Sequence, residues 1–428
     1  MKIGVLGLGY VGMANLAVLL SVGHEVIGYD IDEEKIEGLE KGTYRIPEYD
    51  IDKAIRKKFG KVHFSSDISS LTGMDAYILA LPTPEGEDGS CDTSYIDRAI
   101  EDLYNVLDKE TDAFLIVRST VPVGFASKTA SKLKNPKIHI ISMPEFVREG
   151  TTYYDELDPD RFVVGVSNNE DFDFVKKMRK DAFKRGTKFL MMSNASAEMT
   201  KYAANSFLAM KISYINSLAR LADVCDCDIK DVAEGIGSDS RIGKAMLGAG
   251  IGYGGSCFPK DTKAISFLAK EKGCPLSLIE ATIDVNESQP DYFLTMVRNA
   301  LGSFEGKTIA LFGLAFKNGI SDTRNSVSSI VISSLLKEGA SLRCFDFSEE
   351  AMRAMKKAFP TIRCFTTVEL TLQESDALLI LTADKRFLAL RDDPNLIFNM
   401  KGRYIFDGRN VFKSEDFKDF HYYAIGRK

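Results

Sequence analysis

The chain has 428 residues, enough for roughly two or three domains that each bury a hydrophobic core. Hydrophobic residues make up 45% and charged residues 27% of the chain, which excludes disordered, collagen-like and purely coiled-coil proteins. The 55 Lys and Arg residues against 61 Asp and Glu residues give a net charge of −6, which argues against binding to a nucleic-acid backbone.

Cysteine, histidine and hydropathy patterns narrow the class of protein further. The seven cysteines are odd in number and lack C-x-x-C spacing, so neither a disulfide framework nor a zinc knuckle is predicted. The four histidines form no metal-binding motif, and we expect no metal. Residues 1–23 are apolar but interrupted by glycines, and no later run is long enough to span a bilayer. We therefore expect a cytoplasmic protein that does not bind membranes.

Strand and helix signals alternate through the first half of the chain. Strands are predicted over 2–6, 24–30, 76–81, 113–117, 138–142 and 162–166, and helices over 13–22 and 94–106. Such alternation predicts a mostly parallel, doubly wound sheet.

A long helix follows this first α/β region. Residues 194–224 contain no Gly or Pro and repeat apolar residues at helical spacing, with Asn194 or Ser196 as the expected N-cap. Helical signals continue to about residue 300. A helix with so long an apolar face is typical of a spine between domains and of a dimer surface.

A second α/β region begins at residues 306–313. It repeats strand, glycine turn, a helix over 327–337 and a strand over 342–345, and further strands are predicted over 377–381 and 404–407. The predicted fold class is α/β, with two Rossmann-like doubly wound domains joined by a long central helix and a helical middle domain. The predicted boundaries are 1–193, 194–300 and 301–428.

A glycine motif directly follows the first predicted strand. Gly7 permits a tight turn, Gly9 lets a pyrophosphate approach the backbone, and Gly12 lets helix and strand pack closely. Asp30, at the end of the next strand, is placed to accept hydrogen bonds from a ribose 2′-hydroxyl. Because this carboxylate would repel a 2′-phosphate, the motif predicts NAD rather than NADP.

A second glycine-rich loop, residues 252–261, contains a cysteine. A single cysteine is more often a small buried apolar residue than a nucleophile. Here, however, Lys260 and Asp261 follow Cys257 closely, and a neighbouring cation favours the thiolate. An NAD site together with a nucleophilic cysteine predicts oxidation of an aldehyde through a thioester.

Further polar residues follow predicted strands or lie on the long helix. The segments 119–124 and 143–149 begin at strand ends, where doubly wound sheets bind ligands. On a helical turn Glu145 and Glu149 would share one face. An acid-rich helix N-terminus is the other explanation, but it does not account for a Pro-Glu start so close to a strand end. Lys201 and Asn205 form another i, i+4 pair, and taken alone Lys201 is best explained as a surface lysine.

Several segments together resemble the UDP-glucose/GDP-mannose dehydrogenase family, and they cover nearly the whole chain. They are GLGYVG at 7–12, STVPVG at 119–124, PEFVREG at 144–150, KYAAN at 201–205, GYGGSCFPKD at 252–261, GLAFK at 313–317, SDTRNS at 321–326 and DGRN at 407–410. The cysteine loop and PEFVREG are the specific segments, whereas the glycine motif is widespread.

The resemblance implies a four-electron oxidation of the C6 hydroxymethyl group of UDP-glucose to UDP-glucuronate, a polysaccharide precursor, with two NAD reduced. It implies catalytic roles for Cys257 as the nucleophile, Lys201 and Asn205 at the oxyanion, Asp261 and Thr120 at the catalytic water, and Glu145 in thioester hydrolysis. The alternative is GDP-mannose or another nucleotide sugar as the substrate.

The resemblance also implies the binding residues. NAD contacts are expected at Gly7, Gly9, Tyr10, Val11, Gly12, Asp30, Lys35, Thr83, Thr120, Glu149, Lys260 and Arg324. Sugar-nucleotide contacts are expected at Glu145, Phe146, Val147, Arg148, Glu149, Lys201, Asn205, Arg241, Tyr253, Gly254, Lys317 and Arg409. The three predicted domains then become an NAD-binding domain, a dimerisation domain with the cysteine loop, and a UDP-sugar-binding domain. Arg241 is expected to reach across a homodimer interface.

Two other classes of function remain open from the residues. A simple dehydrogenase would transfer one hydride and would not need Cys257. A non-catalytic dinucleotide-binding scaffold would use the long helix as a dimer module and would not need Cys257, Lys201 or Asp261. The number of NADH formed per substrate discriminates among these possibilities.

Overall fold

The computed structural model describes residues 1–44, 46 and 48–427, apart from the side chain of Pro394. Lys428, the end of the last predicted domain, lies outside the described residues. The chain divides into two compact units, Met1–Ala204 and Asn205–Lys428.

The first unit is built on an eight-stranded sheet with the order β3-β2-β1-β4-β5-β6-β7-β8. Neighbouring strands are parallel except for β6 and β7, which meet antiparallel at one residue pair. The strands are β1 Lys2–Leu6, β2 Glu25–Tyr29, β3 Val62–Ser65, β4 Ala76–Leu79, β5 Ala113–Val117, β6 Ile138–Ser142, β7 Arg161–Gly165 and β8 Lys188–Met192.

Helices pack on this sheet because its central strands are apolar on both faces. On β1, Ile3 and Val5 belong to one buried cluster and Leu6 to another. The helices that begin in this unit are α1 Tyr10–Ser21, α2 Glu33–Glu40, α3 Tyr49–Lys57, α4 Ser94–Val106, α5 Phe125–Leu133, α6 Thr152–Leu157, α7 Asn169–Met178, α8 Lys180–Arg185 and α9 Asn194–Cys225.

The long helix α9 begins in the first unit and ends in the second. The predicted N-cap is wrong, because the Ser193 hydroxyl oxygen, and not Asn194 or Ser196, accepts a bond from the Ser196 amide at 3.2 Å. The Asn194 side chain instead accepts from the Ser142 amide at 2.8 Å and donates to the Ile140 carbonyl at 3.2 Å. Since β6 pairs with β7 only at Ser142, its backbone groups need this other partner.

The second unit contains a six-stranded parallel sheet with the order β11-β10-β9-β12-β13-β14. Its strands are β9 Thr308–Phe312, β10 Ser341–Phe345, β11 Arg363–Cys364, β12 Ala377–Ile380, β13 Tyr404–Asp407 and β14 His421–Ala424. Its helices after α9 are α10 Ile229–Gly237, α11 Phe258–Glu271, α12 Ser277–Leu301, α13 Val327–Lys337, α14 Glu349–Ala358, α15 Val368–Leu372 and α16 Ala389–Asp392.

The predicted α/β class, with two Rossmann-like sheets and a central helical region, is confirmed. The division into three domains at 193 and 300 stays a prediction. None of the helices in the described part of the chain combines the length and apolar character needed to span a membrane.

Candidate active site

The glycine turn after β1 leaves the beginning of α1 open to a ligand. Gly7 has φ +87°, and a Cβ at Gly12 would lie 1.8 Å from the Gly7 carbonyl oxygen. A Cβ at Gly9 would meet no atom within 4 Å, and α1 has no side-chain N-cap. The requirements for glycine at positions 7 and 12 are therefore internal to the fold, whereas Gly9 leaves space in front of amide groups that suit a phosphate.

The acid at the end of β2 closes the same turn. The Asp30 carboxylate accepts from the Leu8 amide at 2.9 Å and from Lys35 Nζ at 2.9 Å. Tyr10 and Val11 lie in the first turn of α1 and are partly exposed. Together with Gly9, these residues fit the adenosine end of a dinucleotide, since they combine accessible surface, an acceptor and a helix N-terminus.

A hydrogen bond joins the loops that follow the next two strands. The Thr83 hydroxyl, after β4, donates to the Thr120 carbonyl, after β5, at 2.8 Å. The structure thus brings together two of the predicted NAD contacts at the carboxyl edge of the sheet.

The segment 143–148, which carries most of PEFVREG, is an irregular loop. The predicted helical turn through Glu145 and Glu149 is wrong, because side chains take the amides that a helix would use. Glu145 Oε2 accepts from the Val147 amide at 2.7 Å, and Asp155 Oδ2 accepts from the Arg148 amide at 2.8 Å. Glu149 therefore does not share a helix face with Glu145.

Lys201 is buried against this loop. Its ammonium donates to the Glu145 carbonyl and to Glu145 Oε1, both at 2.8 Å, and the residue is 4% exposed. The interpretation of Lys201 as a surface lysine is therefore wrong. Burial would raise the pKa of the Glu145 carboxyl, but the Lys201 charge and hydrogen bond outweigh it, and the pKa is lowered.

The other residues of the loop have distinct surroundings. The Arg161 guanidinium stacks 3.8 Å from the centre of the Phe146 ring, and Lys201 Nζ lies 5.5 Å from it on a cation–π contact. Arg148 is exposed and bonds Asp155 at 2.6 Å. Val147 lies between them on the same loop. Contacts of these side chains with a substrate stay predictions.

In the second unit, the cysteine loop ends at the N-terminus of α11. Cys257 is exposed and occupies the N-cap position. Asp261, in the first turn, is 1% exposed and accepts from Lys260 Nζ at 2.7 Å and from Asn205 Nδ2 at 2.6 Å. The structure therefore brings Asn205, Lys260 and Asp261 together directly behind Cys257.

Arg409 is held by backbone oxygens of the second unit. Its Nε donates to the Leu381 carbonyl and its Nη1 to the Gly252 carbonyl, both at 2.8 Å. Burial lowers the pKa of Arg409 to about 10, although Asp407 opposes the shift. A cation whose side-chain bonds go to neutral carbonyls is well suited to an anionic ligand.

The remaining predicted residues lie in different settings. Gly254 lies close to Asn325, since a Cβ there would be 2.2 Å from the Asn325 carbonyl oxygen. The Lys317 ammonium lies 5.9 Å from the Phe316 ring. Arg324 and Arg241 are mostly exposed and pair with Asp322 and Asp239, at 2.6 and 2.5 Å.

Comparison with known proteins identifies the family. Models described as the NAD binding, central and UDP binding domains of one family match residues 1–182, 195–288 and 310–414. The UDP-glucose 6-dehydrogenase AglM of Haloferax volcanii is 36% identical, over 98% of this chain and 99% of its own length. The chain belongs to the UDP-glucose/GDP-mannose dehydrogenase family.

Solved structures agree with this membership. A UDP-glucose dehydrogenase from the archaeon Pyrobaculum islandicum gives a TM-score of 0.92 at 30% identity, covering 100% of this chain and 98% of that one. A UDP-D-ManNAc dehydrogenase from Pyrococcus horikoshii gives 0.87 at 26% identity, covering 100% and 99%. This member of the family is an NAD-dependent oxidoreductase that acts on a nucleotide sugar.

The residues present fit NAD. The open position at Gly9, the uncapped α1 and the Asp30 carboxylate supply room for a pyrophosphate and an acceptor for a ribose hydroxyl. The predicted cofactor is thus confirmed at the level of the family, whereas the individual contacts stay predictions.

Sequence reasoning missed the residues that hold the cysteine loop. Asn286 accepts from the Tyr253 amide at 2.7 Å and donates to the Tyr253 carbonyl at 3.1 Å. The Asn216 and Gln289 side chains bond the Gly250 amide and carbonyl, both at 2.8 Å. The available signal was that these three amides interrupt the apolar faces of α9 and α12.

Sequence reasoning also missed a buried charge cluster beneath the PEFVREG loop. Arg118 donates to the Met143 carbonyl at 3.0 Å and pairs with Glu156, which also pairs with Arg179 at 2.8 Å. The Arg118 charge contributes to the lowered pKa of Glu145. Arg118 lies between the predicted strand at 113–117 and STVPVG, and nothing in that local pattern indicates this role.

Proposed function

We propose that this enzyme oxidises the C6 hydroxymethyl group of UDP-glucose to the carboxylate of UDP-glucuronate. One water and two NAD are consumed, and two NADH and three protons are formed. The placement of Cys257 at the N-terminus of α11, next to Lys260, Asp261 and Asn205, carries the proposal. A dehydrogenase that stopped at the aldehyde would have no use for such a nucleophile.

The choice of UDP-glucose is supported by relatives that cover the full length of the chain. Both the Haloferax enzyme and the Pyrobaculum structure carry that substrate in their names, and their identities exceed that of the Pyrococcus enzyme. UDP-N-acetylmannosamine is the second candidate, because the Pyrococcus structure matches the whole chain as well.

The first part of the reaction produces a thioester. When bound, NAD accepts the hydride that leaves C6 in each of the two oxidations. After the first oxidation, the Cys257 thiolate adds to the aldehyde carbon, and the π electrons move to O6. Lys201 and Asn205 donate hydrogen bonds to this oxyanion, and one such donor typically contributes ~3 kcal/mol. When the second hydride leaves, the C=O bond re-forms as a thioester.

Hydrolysis then releases the product. Water adds to the thioester carbon, the C–S bond breaks, and its electron pair returns to Cys257 as a thiolate. Both protons of the water are released as the carboxylate forms, and the third proton is the one that the C6 hydroxyl loses in the first oxidation. Asp261 and Thr120 orient the water, and Glu145 assists as a carboxylate. The Lys201 charge and hydrogen bond lower the pKa of Glu145, so Glu145 is ionised at neutral pH and can accept a hydrogen bond from the water.

The nucleotide part of the substrate is assigned to the second unit. Arg409 and Lys317 supply positive charge for the diphosphate, and Tyr253 and Gly254 supply backbone on the cysteine loop. Burial raises the pKa of Tyr253 to about 12, so its hydroxyl stays protonated as a donor. Glu145 to Glu149 and Lys201 are assigned to the sugar.

We also propose that the active form is a homodimer with Arg241 donated to the partner's site. Phe207, Tyr214 and Leu221 recur every seven residues on α9, and each is more than half exposed. Such a stripe is typical of a helix that packs on a second copy. Arg241 is 87% exposed in the single chain and so is accessible to a partner.

The deciding experiment counts NADH per sugar with excess NAD, using UDP-glucose, UDP-N-acetylmannosamine and GDP-mannose in parallel. Two NADH per UDP-glucose, with a carboxylate product, are expected, and Cys257→Ser should stop the reaction before the acid. One NADH per sugar in the wild type would contradict the covalent mechanism. Faster turnover of either other sugar would replace UDP-glucose as the substrate.

A further inference from the structure

Glu198 is a buried carboxylate that the proposed mechanism does not use. It lies on α9 and is 3% exposed. Its oxygens accept from the Gly124 amide at 2.6 Å, the Ala126 amide at 3.0 Å and the Ser142 hydroxyl at 3.0 Å. Burial raises the pKa of Glu198, and these donors oppose the shift. The oriented dipoles of these donors therefore offset only part of the cost of burying the carboxylate charge.

Two of the three donors belong to the N-terminus of another helix. Gly124 is the N-cap of α5 in the left-handed conformation, at φ +96°, and supplies no side-chain cap. Glu198 therefore caps α5 from a residue 74 positions away along the chain. Removing this carboxylate would leave the Gly124 and Ala126 amides without this acceptor, and such a loss is unfavourable at the start of a helix.

Two of the elements that Glu198 joins carry a residue assigned to hydrolysis, and the third carries Lys201. Gly124 ends the STVPVG segment, which contains Thr120. Ser142 ends β6 and leads directly into the loop with Glu145. Glu198 itself lies one helical turn before Lys201, which holds Glu145.

A small cavity adjoins the same residues. Its volume is about 10 Å³, enough for about one water molecule. Its lining includes Thr120, Ser142, Glu198 and Lys201. Thr120, Glu198 and Lys201 therefore line one cavity. Their relative positions would determine how a water molecule in it is hydrogen-bonded.

We propose that Glu198 is a positioning residue that sets Thr120 and Glu145 in register for thioester hydrolysis. The inference rests on the proposed function, because it assigns Glu198 to one step of that reaction. A displacement of about 1 Å can slow a catalysed step by about 10²-fold. Loss of Glu198 should therefore slow hydrolysis far more than the two oxidations.

The test is a rapid-mixing measurement of NADH formation with Glu198→Gln, which keeps the volume but has one acceptor oxygen in place of two. We expect a burst of about two NADH per site, followed by turnover about 10²-fold slower than wild type. Intact-protein mass spectrometry of the quenched variant should show the sugar nucleotide attached through Cys257. The KM for UDP-glucose should not rise.

Two further variants keep the test decisive. Ser142→Ala removes one of the three hydrogen-bond donors to Glu198 and should slow hydrolysis less than Glu198→Gln does. If Glu198→Gln does not fold, this variant tests the role of Glu198 in its place. Asp171→Asn is the matched control, since Asp171 is also buried and bonds His139 at 2.6 Å, away from the residues assigned to catalysis. It should lower Tm without slowing hydrolysis.

The outcomes separate the two proposals. Wild type that forms fewer than two NADH per sugar would contradict the proposed function itself. Wild type that forms two, with Glu198→Gln and Ser142→Ala behaving like Asp171→Asn, would overturn the role of Glu198 alone. A uniform slowing of all phases, with no bound thioester, would also overturn it.

Discussion

The two Rossmann-like sheets of this enzyme share one strand order but treat the turn after their first strand differently. In the first unit, residues 7–9 connect β1 directly to α1, whose N-terminus has no side-chain cap. In the second unit, residues 313–326 form a long connection between β9 and α13, and Ser326 caps α13. The same topology therefore leaves the N-terminus of one helix without a side-chain cap and caps the other.

The acids at the ends of the second strands show the same contrast. Asp30 bonds one turn amide, that of Leu8, and also Lys35. Asp346 bonds both the Leu314 amide at 2.6 Å and the Ala315 amide at 3.1 Å. In the second sheet the acid thus stabilises its own turn, and a dinucleotide-binding function does not follow from strand order alone.

The largest expected effect comes from filling the close contact in the first glycine turn. Gly12→Ala places a Cβ 1.8 Å from the Gly7 carbonyl, so the turn must shift. NAD affinity should fall by about 10²-fold or more, as for a misplaced binding group, and Tm should fall as well. Isothermal titration with NAD and with UDP measures this, and UDP binding should remain.

Gly9→Ala is the matched control, because its Cβ would meet no protein atom within 4 Å. It should weaken NAD binding without lowering Tm, since the new methyl group enters only the space left for the pyrophosphate. Unchanged NAD affinity in Gly9→Ala would show that the ligand does not approach the backbone there.

Arg409→Met tests the corresponding assignment in the second unit. Truncating one partner of a charged hydrogen bond typically costs about 2–5 kcal/mol, so UDP affinity should fall by at least about thirtyfold. NAD affinity should not change, and titration with both ligands measures the difference. Equal loss of both ligands would mean that the variant has lost its fold, and retained UDP binding would remove Arg409 from the site.

Much of the fold could be predicted because its signals are local. The strands at 113–117 and 138–142 and the helices at 94–106 and 327–337 were predicted with their observed bounds. Their apolar runs end at turn or capping residues, which lie within a few positions of the element. The glycine motif is equally local, since all of its constraints lie within one turn.

The candidate site could be predicted less completely because its contacts are distant in sequence. Glu145 and Lys201 are 56 positions apart, and no residue near Lys201 in the sequence indicates that it will be buried in an ion pair with an acid. The local sequence of PEFVREG is compatible with a helical turn, but the Arg148 amide donates to the Asp155 carboxylate instead of to a helix carbonyl. The hydrogen bond between the Tyr253 amide and the Asn286 side chain could not be predicted either. A side chain that binds a distant backbone group leaves no periodic pattern in the sequence.

A smaller effect is expected from Asp30 and Asp346, the acids that follow the second strand of each sheet. Asp30→Asn should lower the preference for NAD over NADP by about tenfold, because the repulsion of a 2′-phosphate and one acceptor are lost, roughly 1–2 kcal/mol. Asp346→Asn is its counterpart and should lower Tm with no change in cofactor preference. Steady-state kinetics with both cofactors measure the ratio, and a changed ratio in Asp346→Asn would contradict the contrast between the two turns.

The smallest expected effect is on the pH dependence of folding stability. Glu145, after β6, and Asp407, at the end of β13, should change it in opposite directions. The Lys201 charge lowers the pKa of Glu145, whereas burial raises the pKa of Asp407, although the Phe412 amide and Tyr422 hydroxyl oppose the shift. A lowered pKa gives stability that is present above the unfolded-state pKa, near 4.5 for Glu145, and lost as the pH falls. A raised pKa gives stability that is present at low pH and lost as the pH rises through the folded-state pKa.

Urea unfolding of Glu145→Gln and Asp407→Asn between pH 7 and pH 4 therefore tests both signs in one experiment. The stability difference between wild type and Glu145→Gln should shrink as the pH falls towards 4, whereas the difference between wild type and Asp407→Asn should grow. A tenfold difference in acid dissociation constant between the folded and unfolded states corresponds to about 1.4 kcal/mol of stability. Parallel slopes for the two variants would mean that burial, and not the Lys201 partner, controls Glu145, which would remove the reason for its ionised state in hydrolysis.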